Sequence, residues 1–576
     1  MVYMYKFIGN DNQYENFEIV ETQTFQKVSI FENNLIVKDS KLFSNDTFDF
    51  SDNKIKIIHS HVRFCKNIPG VLSLNISFGK HKDKLLYLCK PDDKRIPFFL
   101  IPYKIPYKFD KSLKKIYITF KYESWEDDMP KGSMLQNFGN IEEINNYYEY
   151  ILYCKSLNVS IQPFTKEARK RLEEISKHKI IQNIQKLYCI EEIKKTDEFI
   201  FTLDSNVSND HDDAISYNFK ENKISVYISN VSLVMDYLEL WDSFTDRIST
   251  IYLPDKKRPM IPSVLTETLL SLDEKENRLC YVLDIYYNEN NEIIEQKLKL
   301  CVAYISKNYS HIEKEKYETN KYYKKIMKIL KINNSKDVVT YLMIHFNKYL
   351  ADFLHSRNIG IYRDYHNIDN KKIIHYESEQ KDIKESNIPE NILFHISNFK
   401  THSSRYCLLH DKCEKNSEKN ELYLQASSPI RRIVDIINNI ALLKVLLDDV
   451  KFERAVEFYE HWTNKQQLEY INISSRTIRK VQSKCKIYSQ YLYNKENNIQ
   501  PIYEGYIFDK LEKYDGKFQY MVYLPYLKLT TYITVLQDLE NYSCHVFRLF
   551  VFMNQEQDKN KIKLQLCYVS KNNDLI

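Results

Sequence analysis

Glycine is nearly missing from the chain, with 8 residues in 576, about 1.4% where an ordinary globular protein has about 7%. That scarcity excludes nucleotide-binding loops by counting. A P-loop needs two glycines five positions apart, and the dinucleotide fingerprint needs three within six residues. The nearest pair here, Gly132 and Gly139, stands seven apart, so no nucleotide cofactor is expected. Paired cysteines are missing too. Eleven cysteines are scattered without a CxxC, which predicts free thiols in a reducing compartment. The tightest grouping, Cys407, His410 and Cys413 with His402 nearby, lacks the two clear ligand pairs of a zinc site. No run approaches the roughly 18 apolar residues of a membrane span. Met1 to Asn10 has neither the apolar centre of a signal peptide nor the arginines of a transit peptide. A cytoplasmic protein is expected, with the nucleus as the alternative and no membrane association.

What is present describes a globular chain of several domains. Hydrophobic residues make up 43% and charged residues 28%, enough for several cores. At about 150 residues per domain the length suggests roughly four domains. The 46 tyrosines, with abundant asparagine, lysine and isoleucine, reflect AT-rich coding more than function. Net charge is 83 − 78 = +5, so any nucleic-acid surface must be a local patch. Residues 1–60 have general β character. Short alternating stretches continue at Lys54–His59, Lys84–Cys89 and Lys115–Tyr122 and read as strands of small barrels, with Pro130-Lys131-Gly132 as a turn. From Thr165, placed as a helix cap, helical spacing begins. Strands return at Glu198–Leu203 and Lys223–Ser229, and residues 321–495 are mostly helical. After Pro501 alternation resumes at Gln519–Leu524 and Thr530–Val535, as in a further small barrel.

Chemistry concentrates between two of those strands. FTLDSNVSNDHDDAIS, Phe201 to Ser216, places Asp204, Asp210, Asp212 and Asp213 within ten residues of one another. Four carboxylates so close cannot all stay ionised near pH 7 without a counter-cation. Hard oxygen ligands suit Mg²⁺ or Mn²⁺, and such ions activate water in phosphodiester hydrolysis. A calcium EF-hand starting at Asp204 would need glycine and glutamate where Asn209 and Ile215 stand. A solvated acidic turn is the bland alternative. Its rival gains weight from a second motif, YLQASSPIRRIVD, Tyr423 to Asp435. Pro429 stiffens the backbone before Arg431 and Arg432, which point in different directions on a helix. One can face a cleft and grip phosphate oxygens bidentately while the other ties down structure.

Together the two motifs resemble the RNB exoribonucleases, the group of bacterial RNase II and RNase R and the eukaryotic exosome exonuclease. Asp204, Asp210, Asp212, Asp213 and Ala214 reproduce the family's acidic spacing, and Ser428-Pro429-Ile430-Arg431-Arg432 with Asp435 its SPIRR run. Tyr252-Leu253-Pro254, Pro259-Met260-Ile261-Pro262 and Leu270-Ser271-Leu272 match the segments between, and Asn347 and Arg363 fall at family positions. Pro91–Tyr103, Trp125 and Pro130–Gly139 look like the second cold-shock barrel of the eukaryotic branch, and Tyr503–Ile507 the opening of an S1-type barrel.

The resemblance implies a multidomain α+β protein. Residues 1–60 would be a degenerate first cold-shock barrel, 61–160 a cold-shock-like OB barrel, 161–497 the mixed α/β RNB catalytic domain and 498–576 an S1-like OB barrel. It implies a 3′-to-5′ hydrolytic exoribonuclease that degrades single-stranded RNA to nucleoside 5′-monophosphates with Mg²⁺ or Mn²⁺. Asp204, Asp210, Asp212 and Asp213 would bind metal and act in catalysis with Arg431. Tyr252 would stack on the 3′-terminal base. Arg432, Ser428 and Arg363 would contact RNA, and Arg476, Arg479, Lys480 and Lys484, at helical spacing, would track phosphates. A stacking platform as in other OB folds is expected in the last barrel, drawn from Tyr506, Phe518, Tyr520 and Tyr523, of which alternation turns some inward.

Several family positions have changed: Asn230 ends the element usually read HIAD, Gln425 replaces a histidine, Tyr341 a glutamate, Ile433 a tyrosine and Asn439-Ile440 a His-Arg pair. These departures motivate the alternative of a catalytically degenerate RNB-fold protein that binds RNA as a tether or scaffold. No endonuclease-type segment precedes the barrels, so a monomer is expected, with RNA-decay machinery as the wider partner.

Overall fold

The structure, a computed structural model, describes residues 4–28, 39–51, 54–105, 115–204, 210–364, 388–389, 392–393, 395–396, 405–409, 422–447, 452–554 and 559–567. His402, His410 and Cys413 lie outside them. Nine cysteines are free thiols, but Cys407 is disulfide-bonded, against the expectation of thiols throughout. No described helix is long and apolar enough to cross a membrane. The chain divides into two compact units, Met1–Asn158 with Leu253–Asp255 and Lys480–Ile576, and Val159–Tyr252 with Lys256–Arg479.

The first unit is β-rich because its sequence alternates. Four antiparallel strands come first, in the order Phe17–Glu21, Met4–Gly9, Thr47–Ser51, Lys54–His59. A closed five-stranded barrel follows, ordered Ile68–His81, Lys84–Pro91, Phe99–Tyr103, Lys131–Asn140, Lys115–Ser124. Asp46 is fully buried and held by Arg63 at 2.6 Å, and the Arg63 guanidinium lies 4.7 Å from the Phe43 ring centroid. Trp125 packs against both β cores.

Residues Lys131 and Gly132 open a strand instead of forming the expected turn. Gly132 is needed there for closeness: a Cβ would meet the Lys121 carbonyl oxygen at 2.6 Å and Phe120 at 2.9 Å.

The C-terminal part is an antiparallel sheet ordered Leu529–Val535, Phe518–Leu524, Ile502–Glu512, Cys544–Asn554, Lys559–Leu566. Tyr520 is buried in its core on the same face as Val522 and Leu524, whereas Tyr523, three positions further on, is buried on the opposite face. The Tyr520 hydroxyl spends its hydrogen bonds on Asp538 and on the Leu539 backbone.

The second unit carries a six-stranded mixed sheet ordered Glu191–Ile193, Ile293–Ser310, Ile200–Asp204, Asp213–Asn218, Lys223–Ser229, Asn277–Tyr287. Strand Ile293–Ser310 is long enough to pair antiparallel with Asn277–Tyr287 and parallel with Ile200–Asp204. Helix Ile433–Leu446 is buried nearly all round, as its continuous apolar run requires. The first helix of this unit starts at Gln162, three residues before the expected cap. Pro163 sets its first turn, and the Thr165 hydroxyl bonds back to the Ile161 carbonyl.

Substituting Gly132→Ala is expected to destabilise the barrel by about 1–3 kcal/mol, because the obstructing atom is backbone and cannot swing aside. A lowered unfolding midpoint in thermal or urea denaturation checks this.

Candidate active site

Strand Ile200–Asp204 ends on its aspartate, and its antiparallel neighbour Asp213–Asn218 begins on one. Neighbouring antiparallel strands end and begin at the same sheet edge, so the connection collects Asp204, Asp210, Asp212 and Asp213 at one end of the sheet. The SPIRR residues approach from elsewhere in the chain. Ser428–Arg432 forms a tight turn leading into helix Ile433–Leu446, and Asn347 supports it by accepting from the Ala426 N–H at 3.0 Å. Segment 248–250 lies alongside: Thr250 N donates to the Arg431 carbonyl and Ile433 N to the Ile248 carbonyl. This pairing sets Tyr252 within hydrogen-bonding reach of Arg431.

The four aspartates are held differently. Asp212 is 2% exposed; its Oδ1 accepts from the Ile430 N–H at 2.8 Å, and Arg431 Nε stands 3.3 Å from its Oδ2. Apart from that ion pair, the buried Asp212 Oδ2 makes no hydrogen bond among the described residues. Burial pushes the Asp212 carboxyl up to about 6 against the opposing pull of Arg431 and the Ile430 N–H. Burial, then the charges of Asp204 and Asp212, raises Asp213 as well. Asp204 Oδ2 faces His211 Nδ1 at 2.6 Å, and Asp210 receives Lys257 Nζ on both oxygens at 2.8 Å. Burial alone would lower the His211 imidazolium, but Asp204, Asp273 and Asp213 hold it above its usual value.

Buried carboxylate oxygens carrying excess negative charge fit a hard divalent cation such as Mg²⁺ or Mn²⁺. No three His, Cys, Asp or Glu side chains among the described residues already converge as a ligand cage. Lys257 on Asp210 and His211 on Asp204 account for two of the carboxylates.

The expected RNA contacts fall into different environments. Tyr252 is 45% exposed and the Arg431 side chain 41%, so both have surface to offer a ligand. Ser428 is buried; its hydroxyl accepts from Arg431 Nη2 at 3.0 Å, and its N–H donates to Asp435 at 2.7 Å. Arg432 pairs with the same Asp435 oxygen at 2.7 Å. Arg363 stacks 3.8 Å over Tyr406 and donates to Gln425.

On helix Lys465–Glu496, Arg476 reaches towards Glu469, and burial with the nearby Arg363 lowers Arg479 to about 10. Arg476 and Arg479 belong to the second unit, Lys480 and Lys484 to the first. Lys480 is exposed, whereas the Lys484 ammonium lies 5.7 Å from the Tyr147 ring centroid. Among the changed positions, Asn230 is an N-cap that accepts from Leu233 N at 3.1 Å, Ile433 is buried and Tyr341 is exposed.

Sequence reasoning missed His211 and Lys257. Neither carries a spacing signal; the fold sets Lys257 directly opposite Tyr252 in a hairpin of two-residue strands.

The raised Asp212 value has a definite pH consequence. Its folded pKa lies above its unfolded one, so the stability it contributes is present below about pH 4 and lost as pH rises through about 6. Without divalent ions, Asp212→Asn should therefore gain stability relative to wild type across that window, by about 2–3 kcal/mol. Urea denaturation at a series of pH values, in EDTA, checks this.

Comparison with known proteins places this geometry. The RNB domain matches residues 193–311, and the Dis3-like cold-shock domain 2 (CSD2) matches residues 86–155. The chain is 27% identical over 241 residues to DIS3-like exonuclease 2 of Schizosaccharomyces pombe, a stretch covering 37% of this chain and 24% of that protein. The matched region thus spans about a quarter of that relative's length. In fold it is similar to Mycoplasma genitalium RNase R solved in complex with double-stranded RNA, with a TM-score of 0.61 at 15% identity, covering 89% of this chain and 97% of that one. It is similar also to yeast Ssd1, described as a pseudonuclease, with a TM-score of 0.54 at 11% identity, covering 92% and 78%. With the RNB domain matching over the acidic strands and a Dis3-like cold-shock domain over the barrel, the chain carries an RNB domain and is related to ribonuclease R and the DIS3-like exonucleases.

Proposed function

We propose that the chain is a metal-dependent 3′-to-5′ exoribonuclease that hydrolyses single-stranded RNA to nucleoside 5′-monophosphates. The observation that carries this reading is the buried Asp212 carboxylate, anchored by the Ile430 N–H and set 3.3 Å from an arginine that remains partly exposed. Here the acid is sealed in and the base keeps a free face, which suits a cleft where phosphate arrives from the solvent side.

Mg²⁺ or Mn²⁺ bound by the aspartate cluster supplies Lewis-acid activation of water and offsets the carboxylate charge. Arg431, braced by Ser428, grips the scissile phosphate oxygens and meets the charge that grows on them. Tyr252 stacks on the terminal base, a contact any base can make. Arg432 and Asp435 fix the turn that aims Arg431. Departures such as Asn230 and Tyr341 leave these groups in place and bear on the grip along the RNA.

The alternative, an RNA tether without cleavage, takes its motive from the fold similarity to Ssd1. A 5′-labelled single-stranded RNA separates the two. The expected outcome is a ladder shortening from the 3′ end with Mg²⁺, none with EDTA and none for Asp212→Asn. RNA that shifts on a native gel but never shortens would establish the tether. Arg431→Ala should retain metal dependence and lose about 10²–10³-fold in rate.

A further inference from the structure

The end of the six-stranded sheet opposite the aspartates carries the opposite charge. Strand Asp213–Asn218 leads away from the acidic end into a turn at Phe219, and Phe199 stands just before strand Ile200–Asp204. At about 3.3 Å per residue, Phe219 lies about 20 Å from the aspartates. Helix Lys321–Leu330 packs there against strand Asp213–Asn218. It buries Tyr323, Ile326 and Ile329. Lys321, Lys324, Lys325 and Lys328 fall on its other side, at the i, i+3, i+4, i+7 spacing of one helix face. Lys321, Lys324 and Lys328 are exposed and Lys325 is half-buried. None of the four has an ion pair among the described residues, and the acids on adjoining segments are engaged elsewhere: Glu221 with Lys223 at 3.0 Å, Glu318 with Lys314 at 3.4 Å. Aromatic rings fix where two of the ammoniums stand. Tyr322 stacks on Phe199 with ring centroids 5.2 Å apart. Lys321 Nζ lies 5.0 Å from the Tyr322 centroid and 5.7 Å from that of Phe219, and Lys325 Nζ 5.8 Å from that of Tyr217. The Phe219 side chain is 50% exposed.

We propose that this face is a second binding surface for single-stranded RNA, remote from the chemistry, in which the lysines take backbone phosphates and the Phe219 ring takes a base. It rests on the reading of RNA as the substrate. The whole chain carries a net charge of only +5, so four uncompensated ammoniums along about 10 Å of one helix make the local patch that a nucleic-acid partner requires. An ammonium already held over a ring loses less freedom when a phosphate arrives. Two other anionic partners fit this face less well. A lipid surface would need the helix's apolar side, which is spent on the core. An acidic peptide would use the lysines but not the flat ring standing half out of its turn, whereas any base can stack on that ring. RNA seated here is too far from Asp212 to be the nucleotide that is cut. The surface therefore holds the strand upstream of its reacting end, and adds affinity only for RNA long enough to reach both ends of the sheet.

Binding of 5′-labelled single-stranded RNA to the full chain, at a series of salt concentrations and in EDTA so that nothing is cut, tests this. Two RNAs are compared, one too short to reach both ends of the sheet and one several times longer. The combined Lys321→Gln, Lys324→Gln, Lys325→Gln and Lys328→Gln variant should bind the long RNA about tenfold more weakly and lower the slope of log affinity on log salt by about 1–2, at about 0.7 per phosphate released. Phe219→Ala should lose about fivefold on the long RNA with the slope unchanged, and Phe219→Tyr should bind as wild type. Neither the lysine variant nor Phe219→Ala should alter the binding of the short RNA or its shortening with Mg²⁺. Unchanged affinity and slope for the long RNA in the lysine variant overturns the proposal, as does an equal loss on both RNAs. Polyglutamate or phosphatidylserine vesicles bound more tightly than the long RNA through the same lysines would overturn it in favour of an acidic protein or a membrane. Wild type that holds long RNA through these lysines but never shortens it with Mg²⁺ refutes the nuclease reading and leaves the surface standing. Shortening without any effect of the lysines refutes the surface and leaves the nuclease reading standing.

Discussion

A carboxylate held out of water must be given positive charge, and the second unit is arranged around that requirement. Asp212 is reached by a backbone N–H and a guanidinium from 218 and 219 positions further along the chain (430 − 212 and 431 − 212). Leaving one such group unpaired costs several kcal/mol, so the SPIRR turn cannot drift from the sheet edge without penalty. The acidic strands and helix Ile433–Leu446 are therefore fixed to one another by the site itself. The contacts that build the candidate site also hold this unit in register.

The adjacent arginines are held differently by one turn. Arg432 and the Ser428 N–H meet on one oxygen of the buried Asp435, which closes the turn into a clasp. Asp435 also lies in the first turn of its helix, where a negative charge is favoured by the exposed N–H groups. With the clasp closed, Ser428 is free to accept from Arg431 and aim it at Asp212. Gln425, Arg363 and Tyr406 form a second brace behind it, and this brace uses the glutamine where the family pattern has histidine.

Much of the fold was legible because alternation is a local signal. Lys54–His59 and Lys223–Ser229 appear as read, and Lys84–Pro91 and Lys115–Ser124 run only slightly longer. The strands Ile361–Asp364 and Arg405–Leu408 were hidden inside a region of helical spacing, because four residues carry too little periodicity and their pairing is long-range. Which aromatics of the last sheet are covered was not legible for a related reason: Tyr520 and Tyr523 face opposite sides of one strand, yet both are buried. In the site, the aspartates and the arginine pair were legible from spacing. Lys257 and His211 were not, because a lysine in a DKKR run and a histidine amid aspartates carry no spacing signal, and only the fold decides which oxygen each meets.

That last point bears on what four similar residues can mean. The aspartates have one chemical type and sit within ten positions, yet each meets a different group. Asp204 faces an imidazole, Asp210 an ammonium and Asp212 a backbone N–H with a guanidinium, while Asp213 is raised by burial and by its acidic neighbours. Asp204, Asp210 and Asp212 thus each face a basic side chain within 3.3 Å, whereas the groups that raise Asp213 are acidic. Spacing in sequence fixes which residues can take part. The cations that the fold brings to each carboxylate fix which of them still have charge to give.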